Sequence, residues 1–421
     1  MSYALLAIGA AALLLTLNAR YPVRHTAVLA PSFFLAWGAI ELAPHLLVAE
    51  VAAIAGTALA GGLDGWPGWT GLALGIAGTA GTVASIIASR RTVVTLRDSG
   101  APLDLDPEGA PRYPFWHLVV PPACLIPRRG VRVRRNVVFH EEGRLRLKAD
   151  VFQPAREGGG LRPGLLEIHG GGWVIGSRRE QGLPLLNHMV LQGWVGFNVD
   201  YRLSPKATWP EHLLDLKRFI RWYREHAAEY GADPGCLYVT GGSAGGHLTA
   251  MVALTANLPE FQPGFEDVDT SVKGAVPFYG VYDFVGTEAC AVPKPMIRLL
   301  ERMVLKKSAE KDPDAFAKAS PMHYLRADAP PFFVIHGSHD SLVPVEGARA
   351  FAERLRDASE SPVVYAEMKG GQHAFDVFPS YRTARVIEGV ERYLTGLHRE
   401  YGRKAGDAPP AVPDEVADSL G

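Results

Sequence analysis

The sequence predicts an α-helical transmembrane segment followed by an α/β domain, a mostly parallel central sheet flanked by helices. Three observations predict it. Of 421 residues, 43 are Lys or Arg and 44 are Asp or Glu, yet residues 1–89 hold only Arg20, Arg24, Glu41, Glu50 and Asp64. From about residue 131, short apolar runs of strand length alternate with helical patterns, the mark of strand–helix–strand units. Several of those runs end in glycine-rich turns that carry Ser, His or Asp.

Composition excludes several function classes at once. The chain is 48% hydrophobic and 21% charged with a formal net charge of −1, so nothing in its balance favours nucleic acid as a partner. Three scattered cysteines, Cys124, Cys236 and Cys290, make neither a disulfide framework nor a zinc site. No metal or organic cofactor is implied.

Residues 1–19 and 65–89 are free of charge, and either stretch is long enough for the roughly 20 residues a bilayer core demands. Between them, 26–63 is apolar apart from Glu41, Glu50 and a break at Ala43-Pro44-His45. It reads as a helical hairpin with both carboxylates near its turn. Trp66 and Trp69 flank Pro67-Gly68 and suit an interfacial belt. The count is four spans over 1–89, with three as the alternative. A cleaved signal peptide is disfavoured, because the first run lacks a basic start and further apolar runs follow it. The basic clusters, Arg20/Arg24 and Arg90/Arg91/Arg97, fall on opposite sides of a four-span segment. The second continues into Arg128, Arg129, Arg132, Arg134 and Arg135, which favours a multi-pass cell-membrane protein with a cytoplasmic catalytic domain. The lipid bilayer is thus an expected partner; oligomeric state is left open.

Residues 90–130 form a basic connector rich in Pro and Gly, with an amphipathic patch at Tyr113-Pro114-Phe115-Trp116. In the domain at 131–400, Val131–Phe139 and Leu145–Phe152 read as early antiparallel strands. Gly164–Ile168, Val195–Val199, Cys236–Thr240, Gly274–Phe278, Phe332–Ile335 and Val363–Met368 are buried-strand runs. The clearest helix lies at 210–230, where Leu213, Leu216, Ile220, Tyr223 and Ala227 share one face. Residues 284–330 break the rhythm and read as an insertion over the sheet's edge, and 401–421 as a disordered tail.

The chemistry gathers at strand ends. Gly241-Gly242-Ser243-Ala244-Gly245 follows one strand and precedes a helical run. That context gives G-x-S-x-G its meaning, a strained turn exposing the serine at a helix N-terminus. His169-Gly170-Gly171-Gly172-Trp173 follows an earlier strand. Acyl transfer needs N–H donors aimed at an oxyanion, and Gly171, Gly172 and Ala244 are the candidates. The serine needs a base and the base an orienting acid. Asp340, in His336-Gly337-Ser338-His339-Asp340, and His373, in Lys369-Gly370-Gly371-Gln372-His373, each follow a strand, where open α/β sheets build their sites. Glu346 and Asp376 are rival acids; His247, His336 and His339 are rival bases; His169 reads as structural.

With Tyr201-Arg202-Leu203-Ser204-Pro205 and Gly371–Phe375 added, residues 131–400 resemble the hormone-sensitive-lipase-like carboxylesterases, a family of α/β-hydrolases. Length and apolar N-terminus are similar to those of the membrane-associated Lip-type esterases of mycobacteria and related actinobacteria. The resemblance implies an α/β-hydrolase fold, Ser243 as nucleophile, Asp340 as acid, His373 as base, and Gly171, Gly172 and Ala244 at the oxyanion. Three departures stand out: Gly242 where the family usually has Asp, Val343-Pro344 where a second acidic residue is usual, and apolar helices where relatives build a soluble lid. The expected function is membrane-anchored hydrolysis of a carboxylic ester or lipid through an acyl-enzyme. An amidase or arylformamidase, an acyltransferase, and a non-catalytic membrane sensor or scaffold are the alternatives.

Overall fold

The computed structural model describes residues 1–405 apart from 24, 26, 101–112, 121–125, 127, 157, 159 and 287–291. The N-terminal segment is helical: α1 (Ser2–Arg20), α2 (Leu29–Glu41), α3 (Ala43–Thr57), which continues through a π turn to Gly62, α4 (Gly65–Arg90) and α5 (Thr92–Asp98). Among the described residues, three stretches are long and apolar enough to cross a membrane, Ser2–Arg20, Ala43–Gly62 and Gly65–Asp98. These helices fit the three-span alternative: α2 has 13 residues, about 20 Å of helix at 1.5 Å per residue, short of a 30 Å hydrocarbon core.

The break before Pro44 falls where expected, and Glu41 sits at it. Glu50 does not. It lies two turns into α3, where Oε2 accepts a hydrogen bond from Thr82 Oγ1 of α4 at 2.9 Å. Small residues let α1 and α4 meet backbone to backbone: a Cβ on Gly71 would lie 2.5 Å from Leu5 C, and one on Gly78 2.6 Å from Ala12 C. The expected boundary at 89 also shifts, since α5 continues the helical direction and buries Val93 and Leu96 against the α/β domain. Of the connector, α6 (Phe115–Val119) is described; most of its Pro- and Gly-rich body, with Cys124, lies outside the described residues, as do Arg24 and Cys290.

All eight expected strand runs are strands: β1 (Val131–Glu142), β2 (Leu145–Pro154), β3 (Arg162–Ile168), β4 (Val195–Val199), β5 (Ala232–Gly242), β6 (Ala275–Phe278), β7 (Phe332–Gly337) and β8 (Val363–Met368). They form one sheet in the order β1-β2-β4-β3-β5-β6-β7-β8. β1 pairs antiparallel with β2, and β2 with β4; every later pairing is parallel. Parallel neighbours put all their C-terminal ends on one side, so the glycine-rich turns gather there.

Helices cover both faces: α7 (Leu183–Leu191), α8 (Glu211–His226), α9 (Ala244–Leu254), α10 (Lys294–Leu299), α11 (Pro313–Lys318), α12 (Val345–Ala358) and α13 (Tyr381–Ala405). On one face α8, α9 and α12 pack Leu216, Ile220, Met251 and Phe351 against the sheet. On the other, α7 and α13 contribute Leu186, Met189, Val386 and Val390. The five apolar positions read on the 210–230 helix are all fully buried. α13 runs to Ala405, past the expected start of the tail; 406–421 lie outside the described residues. The 284–330 insertion is not at the sheet's edge. It follows β6 and precedes β7, both internal strands, and a Cβ on Gly172 would lie 3.3 Å from Leu299 Cδ2 of α10, so it stands beside the loop after β3.

Two histidines make the fold acid-sensitive. Burial pushes His247 down to about 3 and His212 down to about 4, against an unfolded value near 6.5. His247 uses its neutral form fully: Trp173 Nε1 donates to Nδ1 at 3.2 Å, and Nε2 lies 2.8 Å from Ala319 O. Below pH 6.5 the unfolded chain binds protons that the folded chain refuses. Stability from these groups is therefore complete above pH 6.5 and falls as the pH drops towards 4, by about 1.4 kcal/mol per pH unit for each histidine. Thermal melting across pH 7.5 to 4.5 is expected to show a decline that begins near 6.5 and is shallower in His212→Asn; a flat curve contradicts it.

Candidate active site

Ser243 occupies the turn between β5 and α9 with φ +59 and ψ −119. This left-handed backbone is costly for a residue with a Cβ and is held by what surrounds it. A side chain at Gly241 or Gly245 would collide with the carbonyl oxygen of Ile168, so the flanking glycines let β5 and α9 close tightly around the serine. Ser243 N–H donates to Phe278 O at 3.0 Å, and the serine caps the N-terminus of an 11-residue helix, where free N–H groups favour negative charge.

The loop after β3 lies directly against it. A Cβ on Gly170 would be 3.2 Å from Ser243 Cβ. Gly171, Gly172 and Trp173 all take positive φ, +116, +59 and +61, so the loop doubles back with little side-chain bulk between its backbone and the serine. The Tyr201–Pro205 motif braces it: Tyr201 Oη donates to His169 O at 3.0 Å and Ser204 N–H to Trp173 O at 2.8 Å. His169 stacks on Tyr201 with centroids 4.4 Å apart, a structural placement.

Asp340 and His373 follow the adjacent strands β7 and β8. His373 Nδ1 lies 2.6 Å from Asp340 Oδ2. The other carboxylate oxygen, Oδ1, accepts N–H bonds from Leu342 at 2.9 Å and Val343 at 2.7 Å, and His336 Nε2 stands 3.1 Å from Oδ2. Burial by itself raises the Asp340 carboxyl, but the facing His373 and the bonds from His336 and His373 outweigh it and hold Asp340 well below the ordinary carboxylate range. Backbone N–H groups thus support the carboxylate where a second acidic residue is absent. Gln372 Oε1 ties the two loops together, accepting from Ser341 N–H at 2.8 Å and from His373 N–H at 2.9 Å.

The rivals have other partners or stand behind the pair. His247 packs between Trp173 and Phe284, and His336 is fully buried beneath Asp340. His339 contacts Arg20, with Arg20 Nη1 2.8 Å from its Nε2. Glu346 lies on α12, 3.9 Å from Arg349. Asp376 accepts a hydrogen bond from Tyr279 Oη and stays above its ordinary range through burial. Tyr279 also explains Gly242. Its ring lies 4.7 Å from that of His373, and a Cβ on Gly242 would lie 2.5 Å from Tyr279 Oη. The space beside this turn belongs to the phenol.

Gln372 and Tyr279 were not read as functional neighbours from sequence, and His336 was weighed there only as a rival base. Tyr279 carries one usable signal, its place directly after the C-terminal end of β6. Phe33 of α2 carries none, yet its ring stands edge-on to His373, centroids 6.3 Å apart.

A sheet of this order with a glycine-bracketed serine elbow after β5 and an Asp–His pair after β7 and β8 defines an α/β hydrolase. A family model described as BD-FAE matches residues 149–355. A probable carboxylic ester hydrolase, LipM, of Mycobacterium tuberculosis (strain ATCC 25618 / H37Rv) is 45% identical over 294 residues, 68% of this chain and 67% of that protein. Esterase LipC of the same strain is 39% identical over 66% of this chain and 69% of its own length. Among solved structures, the propionate-bound esterase Est2 of the Planctomycetes species Thermogutta terrifontis aligns with a TM-score of 0.51 and 28% identity, covering 67% of this chain and 97% of that one. The chain belongs to this α/β-hydrolase family of carboxylic ester hydrolases, and it is an enzyme of that class.

Proposed function

We propose that the protein is a membrane-anchored serine carboxylesterase that cleaves acyl esters through Ser243, His373 and Asp340. The observation that carries this reading is the 2.6 Å contact between His373 Nδ1 and Asp340 Oδ2, on loops beside the serine elbow. In the mechanism, Ser243 Oγ attacks the ester carbonyl while His373 Nε2 takes its proton, and the imidazolium is stabilised by Asp340. The N–H groups of Gly171, Gly172 and Ala244 receive the oxyanion. His373 returns the proton to the leaving alcohol, and water, activated by the same histidine, releases the acid from the acyl-enzyme.

An acyl-lipid substrate is favoured by an apolar cavity that reaches the far end of the His373 loop at Pro379–Tyr381. A cavity of about 530 Å³ lies between the α2–α3 break, the end of α4, α6 and the start of α13, lined by Ile40, Val48, Ile86, Phe115 and Leu118 among others. Its volume falls within the range of small-molecule pockets. Three helices of membrane-spanning length adjoin the domain, and the arginines after the last of them favour the cytoplasmic side. The test is a p-nitrophenyl ester series from acetyl to decanoyl with the full chain in phosphatidylcholine vesicles. A kcat/KM that climbs with acyl length supports lipid esters; a profile that falls from acetyl onwards overturns them, and in a parallel run with added glycerol, formation of acylglycerol in place of free acid moves the reaction to transfer.

A further inference from the structure

α2 belongs to the apolar N-terminal segment by composition, yet one of its faces looks onto the loop that carries His373. Residues 33, 37 and 41 are four apart and share that face. Trp37 lies against Phe378, centroids 4.2 Å apart, and its Nε1–H donates to Ala374 O at 2.9 Å. Ala374 follows His373 directly and holds φ +57, a conformation that a residue with a Cβ keeps only when its surroundings impose it.

Glu41 ends the helix with both carboxylate oxygens engaged. Oε2 accepts from Ser380 Oγ at 2.8 Å, and Oε1 accepts from Arg382 Nε at 3.2 Å. Arg382 Nη1 in turn donates to Lys369 O at 2.8 Å. α2 therefore holds the base loop, 369–382, beside His373 through Trp37 and at its far end through Glu41, and reaches Lys369 by way of Arg382. The Glu41 and Arg382 side chains are each 1% exposed. A charge so enclosed is tolerated only when paired, so α2 has one seating on the domain, with Glu41 on Arg382. The Arg20–His339 contact adds a tie from α1 to the loop of Asp340.

We propose that α2 is a positioning element of the active site: Trp37 and Glu41 hold the loop that aims His373, so the chemical step depends on how the apolar N-terminal helices are seated. The inference rests on the reading of Ser243, Asp340 and His373 as the reacting set. Misplacing such a group by about 1 Å costs on the order of 100-fold in rate.

The test uses the full chain in phosphatidylcholine vesicles with p-nitrophenyl acetate, a substrate too small to need an acyl wall. Active sites are counted by stoichiometric inactivation with an organophosphonate. Trp37→Phe keeps the ring against Phe378 and removes the N–H; Glu41→Gln keeps a hydrogen-bonding group and removes the charge facing Arg382. The expected result is a kcat per titrated site about tenfold lower in each variant, with KM within about twofold of wild type. A purely structural role would lower the melting temperature or the number of titrated sites and leave turnover per site unchanged. That outcome, or a raised KM at unchanged kcat, overturns the proposal. If Glu41→Gln fails to fold, Trp37→Phe decides alone. Ser243→Ala is measured in parallel: turnover lost there but unchanged in the α2 variants overturns this inference only, whereas turnover retained in Ser243→Ala overturns the triad reading as well.

Discussion

Replacing Ser243 with alanine is expected to lower kcat for ester hydrolysis by about 10⁶-fold while leaving the fold intact. The size follows from the way such sets act as a unit. Without the nucleophile, His373 and Asp340 have no proton to move, and what survives is the roughly 10³- to 10⁴-fold advantage over water that the oxyanion donors and binding provide. The fold should hold because the features that build the turn lie in the backbone: glycines at 241 and 245 packed on Ile168 O, and Ser243 N–H on Phe278 O. Hydrolysis of p-nitrophenyl butyrate and thermal melting of the same preparation check both halves. A variant that melts like wild type and keeps more than about a hundredth of its turnover contradicts the assignment.

The second large effect concerns Gly242, the residue before Ser243. Gly242→Asp is expected to remove nearly all active protein. A Cβ there would lie 2.5 Å from Tyr279 Oη and 2.8 Å from two ring carbons, and Tyr279 is itself buried and bound to Asp376. Overpacking of this kind costs on the order of 1–3 kcal/mol or more. The new carboxylate would also be buried near Asp376, which burial already pushes above its ordinary range. Combining Gly242→Asp with Tyr279→Ala vacates the space and is expected to recover soluble, titratable enzyme. Titration of active sites in the single and double variants measures this. A single variant as abundant and active as wild type would show that the phenol moves aside freely.

Much of this was legible in the sequence because the signals were local. Each strand run is a short apolar stretch bounded by turns, and the positions read along 210–230 are one buried face, four on α8 and Ala227 just past its end. Ser243, Asp340 and His373, the proposed triad, are singled out because each stands after a strand run, and all three of those strands lie in the parallel part of the sheet. What escaped depended on contacts distant in the chain. β5 begins at Ala232, four residues before its apolar run, because Ala232 pairs with Arg162 of β3. α2 read as half of a hairpin because apolar residues run from 26 up to the break; its length of 13 residues is set by where the helix starts, at Leu29. The position of residues 284–330 was set by packing beside Gly172, and no periodicity encodes that. Gln372 and Tyr279 act by bridging two loops or filling a neighbour's vacant space. Such roles belong to pairs, and a single residue type does not advertise them.

The account's central claim is that Ser243 forms the covalent intermediate. It is tested most directly by treating the full-length protein with a fluorophosphonate and locating the adduct by intact-mass and peptide mass spectrometry. One phosphonyl group per chain on Ser243, with loss of hydrolysis in proportion to labelling, is the predicted result. An adduct on another residue, or hydrolysis that persists after Ser243 is fully labelled, would contradict it.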